Sequence, residues 1–537
     1  MPVQRLPRLS AEDLRVGVRF LAALPRFLRS PFGLAEARAT VKRRFELRAS
    51  QFLARVDEAY HRPASPYRRL FDHAGCEASD VAVLVESDGI EGALRVLLRA
   101  GVYMAGDEFK GRRPVVRGSL RFTVDPTSLV NPRSVVHGLS ESSGSRGVRT
   151  AVPIDLAFIL DHAINTHIAL EAHGGRDWVH AHYGVPGGTA VTNPLEFAKG
   201  GRPPARWFTP VDLMTPGLSP RYRLGSRAMR LGSLLAGVPL PGPTYSPLEA
   251  PLPIARWISS ERLSGRIPHV WGFASSAVAV CQAAMGSGID VSGARFTAGG
   301  EPTTAARRAV IEGAGAFVLP RMGTTETDIL AFACAHPAAP DDMHFFEDRH
   351  VLIQARSDGD PIGLPQGAML LTSLLDSAPV LLLNVCMGDQ AVVSARSCGC
   401  ALEGGGWSTH VHEVRSFEKL TAGGITLLDM DVVPVIEEVL PSRFGGSPTD
   451  YQLLERLDGP RARPEVVLLV SPSLGPLDAT AVADTFLNAV GGGTGAERLM
   501  ELLWRGGGVL RIVREAPRRT ASGKVLHLFL QPKASID

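Results

Sequence analysis

Five short stretches of this 537-residue chain hold side chains whose types and spacing could do chemistry. In Ser142-Ser143-Gly144-Ser145-Arg146-Gly147 the glycines let backbone amides converge while the serine hydroxyls add donors, a combination that suits phosphate oxygens. A flexible turn is the ordinary alternative. Gly299-Gly300-Glu301 is followed by Met322-Gly323-Thr324-Thr325-Glu326, where hydroxyls precede a carboxylate. Carboxylate oxygens are hard ligands that suit magnesium bridged to phosphate, although a Thr-Thr-Glu run also caps helix N-termini. Met387-Gly388-Asp389 offers an ionised two-oxygen acceptor that suits a vicinal diol, or a turn aspartate after a strand. The stretch from Pro517 ends at Lys524, an ammonium ion that could neutralise charge developing in a transition state.

The cysteines form a second constellation. Cys398-Gly399-Cys400 lies just past Asp389, and Cys334, followed by His336 and His344, lies just past Glu326. Two thiolates from one loop with a Cys and a His from another would make a tetrahedral, closed zinc site. His344 is preferred to His336 because it precedes the strand-like Val351-Leu352-Ile353. Unliganded thiols are the alternative.

Taken in order, these blocks resemble the adenylate-forming superfamily of acyl-CoA synthetases, most closely its phenylacetate-CoA ligase and acyl-protein synthetase branches, from about residue 60 to the C-terminus. The resemblance implies ATP binding by Ser142, Ser143, Gly144, Ser145, Arg146, Gly147, Gly299, Gly300, Glu301, Met322, Gly323, Thr324, Asp389 and Arg415. It places Thr325 against the α-phosphate, Mg²⁺ on Glu326, the ribose hydroxyls on Asp389, a domain hinge at Glu418 and the adenylation lysine at Lys524. Trp271, Phe273 and Ser275 match the substrate-side helix of such enzymes, where Trp271 and Phe273 favour an aromatic or other apolar acid or, as the alternative, are plain core aromatics; His180, His182 and Tyr183 are further pocket candidates. A zinc site resembling Cys334, His344, Cys398 and Cys400 also occurs in phenylacetate-CoA-ligase-like proteins. The chain departs from the pattern at Arg146, at Met322 in place of a tyrosine, at Leu383-Asn384-Val385-Cys386 before Asp389, at Val414 and at Phe417.

The surrounding chain must position these groups. With 45% hydrophobic and 21% charged residues it can form several cores, since single cores stop growing near about 250–300 residues. The balance of 57 Lys+Arg against 54 Asp+Glu leaves only +3, too little to argue for nucleic acid. Six cysteines and no leader pattern point to a reducing cytoplasm, and no uncharged apolar run approaches the roughly 18–20 residues that span a bilayer. Leu14, Val18, Phe20, Leu21 and Leu24 fall on one helical face with Arg15, Arg19 and Arg26 around it, which predicts a helix packed on the main body or, as the alternative, on an anionic membrane.

Residues 75–415 alternate apolar runs with helical stretches, the signature of α/β layers. A helix is expected from Pro153 to His173, surface loops at 196–222 and 237–254, and helix, strand, helix, strand over Val270–Ile289, Ala294–Gly300, Thr304–Gly313 and Ala314–Pro320. The last strand delivers Gly323–Glu326 to its C-terminal end, where open α/β sheets bind ligands. Beyond Lys419, helix-like Val432–Leu440, strand-like Pro464–Ser471, helix-like Ala479–Ala489 and strand-like Gly508–Val513 follow.

The resulting expectation is a multi-domain α/β adenylate-forming fold: a helical segment 1–65, a large domain 66–415 and a small mobile α+β lid, 419–537. Its activity would be ATP- and Mg²⁺-dependent conversion of a carboxylic acid, aromatic or otherwise apolar, to acyl-AMP with release of pyrophosphate. The acyl group would then pass to coenzyme A. A carrier-protein thiol is the alternative acceptor, a catalytically degenerate nucleotide-binding homologue is the alternative function, and a homodimer is left open.

Overall fold

The structure, a computed structural model, describes residues 11–63, 65–141, 151–185, 187–216, 218–247, 250–300, 302–356, 364–416, 419–420, 427–428, 432, 434–446, 450–456, 465–492, 496–518 and 528–530. The alternating apolar runs assemble into one 13-stranded sheet. In chain order its strands are β1 (Met104–Ala105), β2 (Trp178–Tyr183), β3 (Arg206–Thr209), β4 (Pro243–Tyr245), β5 (Ile267–Phe273), β6 (Arg295–Gly299), β7 (Phe317–Thr324), β8 (Asp328–Ala333), β9 (Met343–Phe345), β10 (His350–Gln354), β11 (Ala368–Ser373), β12 (Val385–Ala395) and β13 (Thr409–Ser416). Across the sheet they lie in the order β10-β11-β12-β13-β9-β8-β7-β6-β5-β2-β3-β4, with β1 added beside β12.

From β7 to β4 the pairing is parallel. Parallel neighbours need crossover connections, and the helices Gly188–Lys199, Pro220–Leu235, Leu252–Leu263, Ala274–Gly286 and Ala305–Gly313 lie between these strands in sequence. The β7–β8 hairpin turns the sheet antiparallel, and apart from the short parallel β1–β12 pair it stays so to the β10 edge. The Thr-Thr-Glu segment therefore falls where the two halves meet.

Three expectations are corrected. Val270–Ile289 is not one helix: β5 ends at Phe273 and a helix starts at Ala274. A strand buried on both faces is apolar throughout, so its periodicity does not separate it from an apolar helix that follows directly. The stretches read as surface loops instead contain β3, β4 and parts of three helices. Trp207 and Phe208 of β3 are core side chains, in a four-residue strand too short to show a period among prolines and glycines. The helix expected from Pro153 begins at Leu156, capped by Asp155, whose carboxylate accepts from Ala157 N, while Pro153 belongs to the strand Ala151–Ile154.

The N-terminal helix Ala11–Leu28 packs on the body, burying Phe20, Leu24 and Leu28 in a cluster with Trp207 and Met229. Each such side chain contributes roughly 1.5–3 kcal/mol of apolar burial. A separate four-stranded sheet lies in the region read as a lid, in the order Leu510–Val513, Glu465–Val470, Tyr451–Arg456, Leu528–Leu530, with helices Ala479–Val490 and Ala496–Gly506 beside it in sequence. Among the described residues no helix is long and apolar enough to cross a membrane.

Candidate functional site

Thr325 and Glu326 sit on the turn between β7 and β8, so the helix-cap alternative for this segment does not hold. Gly323 is required by its surroundings: a Cβ there would lie 2.1 Å from the Asp328 carbonyl oxygen. Thr324 N donates to Thr327 Oγ1 at 3.3 Å, the two hydroxyls are 3.0 Å apart, and Thr327 N returns a bond to Thr324 Oγ1 at 3.3 Å. Asp328, which closes the turn, has φ 53°, an uncommon conformation for a residue with a side chain. These locks fix the backbone that presents Thr325 and Glu326.

Glu326 is buried and forms an ion pair with Lys110, Oε1 to Nζ at 3.1 Å; Lys110 is buried as well. The sequence reading missed this lysine, which lies in no motif. It follows the short helix Gly106–Phe109 at the end of β1, and β1 pairs with β12 through Met104–Val385 and Ala105–Cys386. The strand that carries Asp389 is thus tied to the turn that carries Glu326. Farther along the same edge of β12, Asp389 pairs with Ser416 and Gln390 with Arg415 in β13, so the predicted ribose aspartate and phosphate arginine occupy adjacent strands. Arg415 also bonds Asp341 Oδ2 at 3.4 Å. Met322, placed among the ATP-binding residues by resemblance, packs into a cluster with Leu330, Leu370 and Met387.

A second buried assembly backs the turn. Gly299 leaves room for Arg321, since a Cβ on Gly299 would meet Arg321 Cγ at 2.7 Å, and the guanidinium lies 4.7 Å over the Trp271 ring. Trp271 is wholly buried, 5.4 Å edge-on from Phe197, which makes it a core side chain and not an exposed pocket wall. Phe273 precedes the first residue of the Ala274–Gly286 helix. Both ring nitrogens of buried His182 and Nε1 of Trp271 have no hydrogen-bond partner among the described residues. Burial holds His182 neutral, with its pKa lowered to about 3.

Burial and the adjacent Asp328 carboxylate raise the Glu196 carboxyl well above its ordinary 4.5. It therefore stays protonated in the folded chain at a pH where the unfolded chain has already ionised it, and stability falls as pH rises from 4.5 toward the raised value. Glu196→Gln keeps the neutral shape and is expected to flatten that part of a melting-temperature profile measured from about pH 4 to 8; an unchanged slope would show that Glu196 is not the titrating group.

The cysteine constellation is assembled as expected. One ligand atom each from Cys334, His344, Cys398 and Cys400 lies within 4.8 Å of the others. His344 Nδ1 contacts the Trp407 carbonyl at 2.7 Å, which points Nε2 at Cys400 Sγ, 3.1 Å away, and Cys398 Sγ, 3.5 Å away. A backbone carbonyl fixing the ring in this way is the usual support of a metal-bound histidine. Glu403 holds the Cys-Gly-Cys loop by accepting from Cys398 N at 2.8 Å and Gly399 N at 2.5 Å. Burial raises the Cys334 thiol to about 12 and lowers His344 to about 4, so the imidazole is a neutral donor already, and only the thiols must lose protons to bind a cation. His336 stands outside the four, its Nδ1 2.8 Å from the Cys398 carbonyl.

Several predicted residues lie outside the described ones: Ser142, Ser143, Gly144, Ser145, Arg146, Gly147, Glu301, Glu418 and Lys524, together with the side chain of Ser275.

No protein-family model and no curated protein matches the sequence. Among solved structures the chain is similar to 2-hydroxyisobutyryl-CoA ligase bound to its acyl-AMP and CoA in the thioesterification state, with 15% identity over 94% of this chain and 92% of that one and a TM-score of 0.53. An open conformation of that ligase matches at 14% identity over 93% of each chain, TM-score 0.43. An AMP-acid ligase II-like protein from Dyadobacter fermentans matches at 12% identity over 72% of this chain and 87% of that one, TM-score 0.29. The first likeness shows that the chain has the fold of the adenylate-forming acyl-CoA ligases.

Proposed function

We propose that this chain, built on the adenylate-forming ligase fold, activates a carboxylic acid with ATP and passes the acyl group to a thiol. The observation that carries the reading is the β7–β8 turn. It stands at the end of the parallel half of the sheet, is locked by Gly323, Thr324 and Thr327, and offers Thr325 and Glu326 together at the edge where such sheets take ligands. In the first step a carboxylate oxygen of the acid attacks the α-phosphorus of ATP and pyrophosphate leaves. Thr325 would donate to the α-phosphate, Gly299 and Gly300 would let the chain approach the base, and Asp389 would accept from the ribose. Glu326 would hold magnesium, which neutralises phosphate charge when bound. In the second step a thiolate attacks the acyl carbonyl and AMP departs.

The assigned domains, 1–65, 66–415 and 419–537, with a hinge at Glu418 and Lys524 on the lid, belong to the same proposal. Coenzyme A is the proposed acceptor, with a carrier-protein thiol as the alternative. The expectation of an aromatic or apolar acid rested on Trp271 and Phe273, and the burial of Trp271 removes its main support. The Lys110–Glu326 pair favours one second reading, a chain that keeps the fold without turnover, because the proposed magnesium carboxylate already faces a buried cation. Incubation with ATP, magnesium, coenzyme A and a panel of carboxylic acids is expected to yield AMP and an acyl-CoA by mass spectrometry. An adenylate without any CoA thioester would move the acceptor to a protein thiol.

We also propose that Cys334, His344, Cys398 and Cys400 hold a structural zinc ion that braces the loops following Glu326 and Asp389. All four positions are taken by side chains of the chain, so the ion would be closed to substrate. Metal analysis is expected to find about one zinc per chain. Cys398→Ser is expected to lower the melting temperature while part of the activity survives at low temperature, because structural zinc contributes folding free energy. Protein free of zinc after metal-replete expression would end this assignment.

A further inference from the structure

Six large apolar side chains remain exposed on two helices that pack side by side. On Ala11–Leu28 these are Leu14 and Val18, 60% and 67% exposed; on Pro220–Leu235 they are Leu224, Leu231, Leu234 and Leu235, 41–59% exposed. The helices are in direct contact: a Cβ on Gly232 would meet Leu24 Cδ2 at 2.8 Å, and Arg29 donates to the Leu235 carbonyl at 2.5 Å. Their inner faces already hold them to the body through Phe20, Leu24, Leu28 and Met229, so the outer leucines are not required for the fold. Isolated exposed leucines are ordinary, whereas a cluster of this kind marks a contact surface.

Charge identifies the partner. Arg15, Arg19 and Arg26 are exposed on the first helix and Arg227 and Arg230 on the second. The Pro220–Leu235 helix holds four arginines, at 221, 223, 227 and 230, and no acid, while Ala11–Leu28 holds three arginines and, in its first turn, Glu12 and Asp13. Protein-binding faces are typically anchored by tyrosine and tryptophan, and no large aromatic side chain is exposed on either helix. Leucines interleaved with arginines on a helical surface are instead the composition that lies at a lipid interface, with apolar side chains at the acyl boundary and guanidinium groups among the phosphates.

We propose that this two-helix face docks the protein on an anionic lipid surface. The inference stands independently of the ligase reading, since it uses none of the proposed site residues. The full chain is expected to co-sediment with vesicles of phosphatidylcholine and phosphatidylglycerol but not with phosphatidylcholine alone, and added salt should release it. Leu231→Ser/Leu234→Ser should weaken vesicle binding about tenfold or more by removing apolar side chains from the lipid. Arg227→Gln/Arg230→Gln should weaken it about tenfold on anionic vesicles. Thermal melts of both variants should match the parent, because the altered side chains point to solvent. Equal sedimentation with both lipid compositions, or none with either, would overturn the proposal. So would a lipid-free dimer, seen by light scattering, that the leucine variant dissociates, which would assign the face to a second copy of the chain.

Discussion

Lys110→Met is expected to destabilise the folded chain by about 3–5 kcal/mol, the cost of removing one member of a buried ion pair. Lys110 and Glu326 are 8% and 3% exposed at their side chains, so solvent screens neither charge. Glu326→Gln removes the carboxylate charge that faces the buried Lys110 ammonium and should therefore lose stability as well as affinity for magnesium-ATP. The double variant Lys110→Met/Glu326→Gln removes both charges, and most of the folding loss should return while magnesium-ATP binding stays weak. Urea midpoints of the four proteins form a cycle that isolates the pair. Additive losses would show that the two groups are not coupled.

Lys524→Ala is expected to abolish adenylate formation, a loss of about 10²–10³-fold or more if its ammonium neutralises charge on the attacked phosphate. Thioester formation from a supplied acyl-AMP should be largely retained, because the lysine is proposed to serve only the first step. The two half-reactions are measured separately, by pyrophosphate release and by thioester yield. Equal loss of both in a folded protein would remove Lys524 from the assigned role.

The convergence of Cys334, His344, Cys398 and Cys400 was legible in the sequence because three thiols and an imidazole fall just after two other motifs, and the preference for His344 over His336 matches the four residues that converge. The strand leading into Gly323–Glu326 was legible because Thr304, which caps the preceding helix by accepting from Arg307 N, and the apolar run after it give distinct local signals. Lys110 was not, since its partner is distant in sequence and only the β1–β12 pairing brings it near. Trp271 was read as a pocket residue because an aromatic near a motif looks the same in sequence whether it lines a cavity or fills a core. β5 was absorbed into the helix after it because a doubly buried strand has no polar alternation to mark it. The paired exposed faces of the Ala11–Leu28 and Pro220–Leu235 helices were half visible: the first helix showed its basic rim, but the second fell in a stretch read as loop.

ATP–pyrophosphate exchange tests the central claim most directly, because it reports acyl-AMP formation alone and needs no acceptor thiol. With magnesium present and a panel of carboxylic acids supplied one at a time, at least one acid should drive exchange well above the acid-free rate, and the Lys524→Ala protein should not respond to it. Exchange that stays at the acid-free level for every acid, in protein shown to be folded, would contradict the proposed activity and leave a nucleotide-binding chain that keeps the ligase fold without its chemistry.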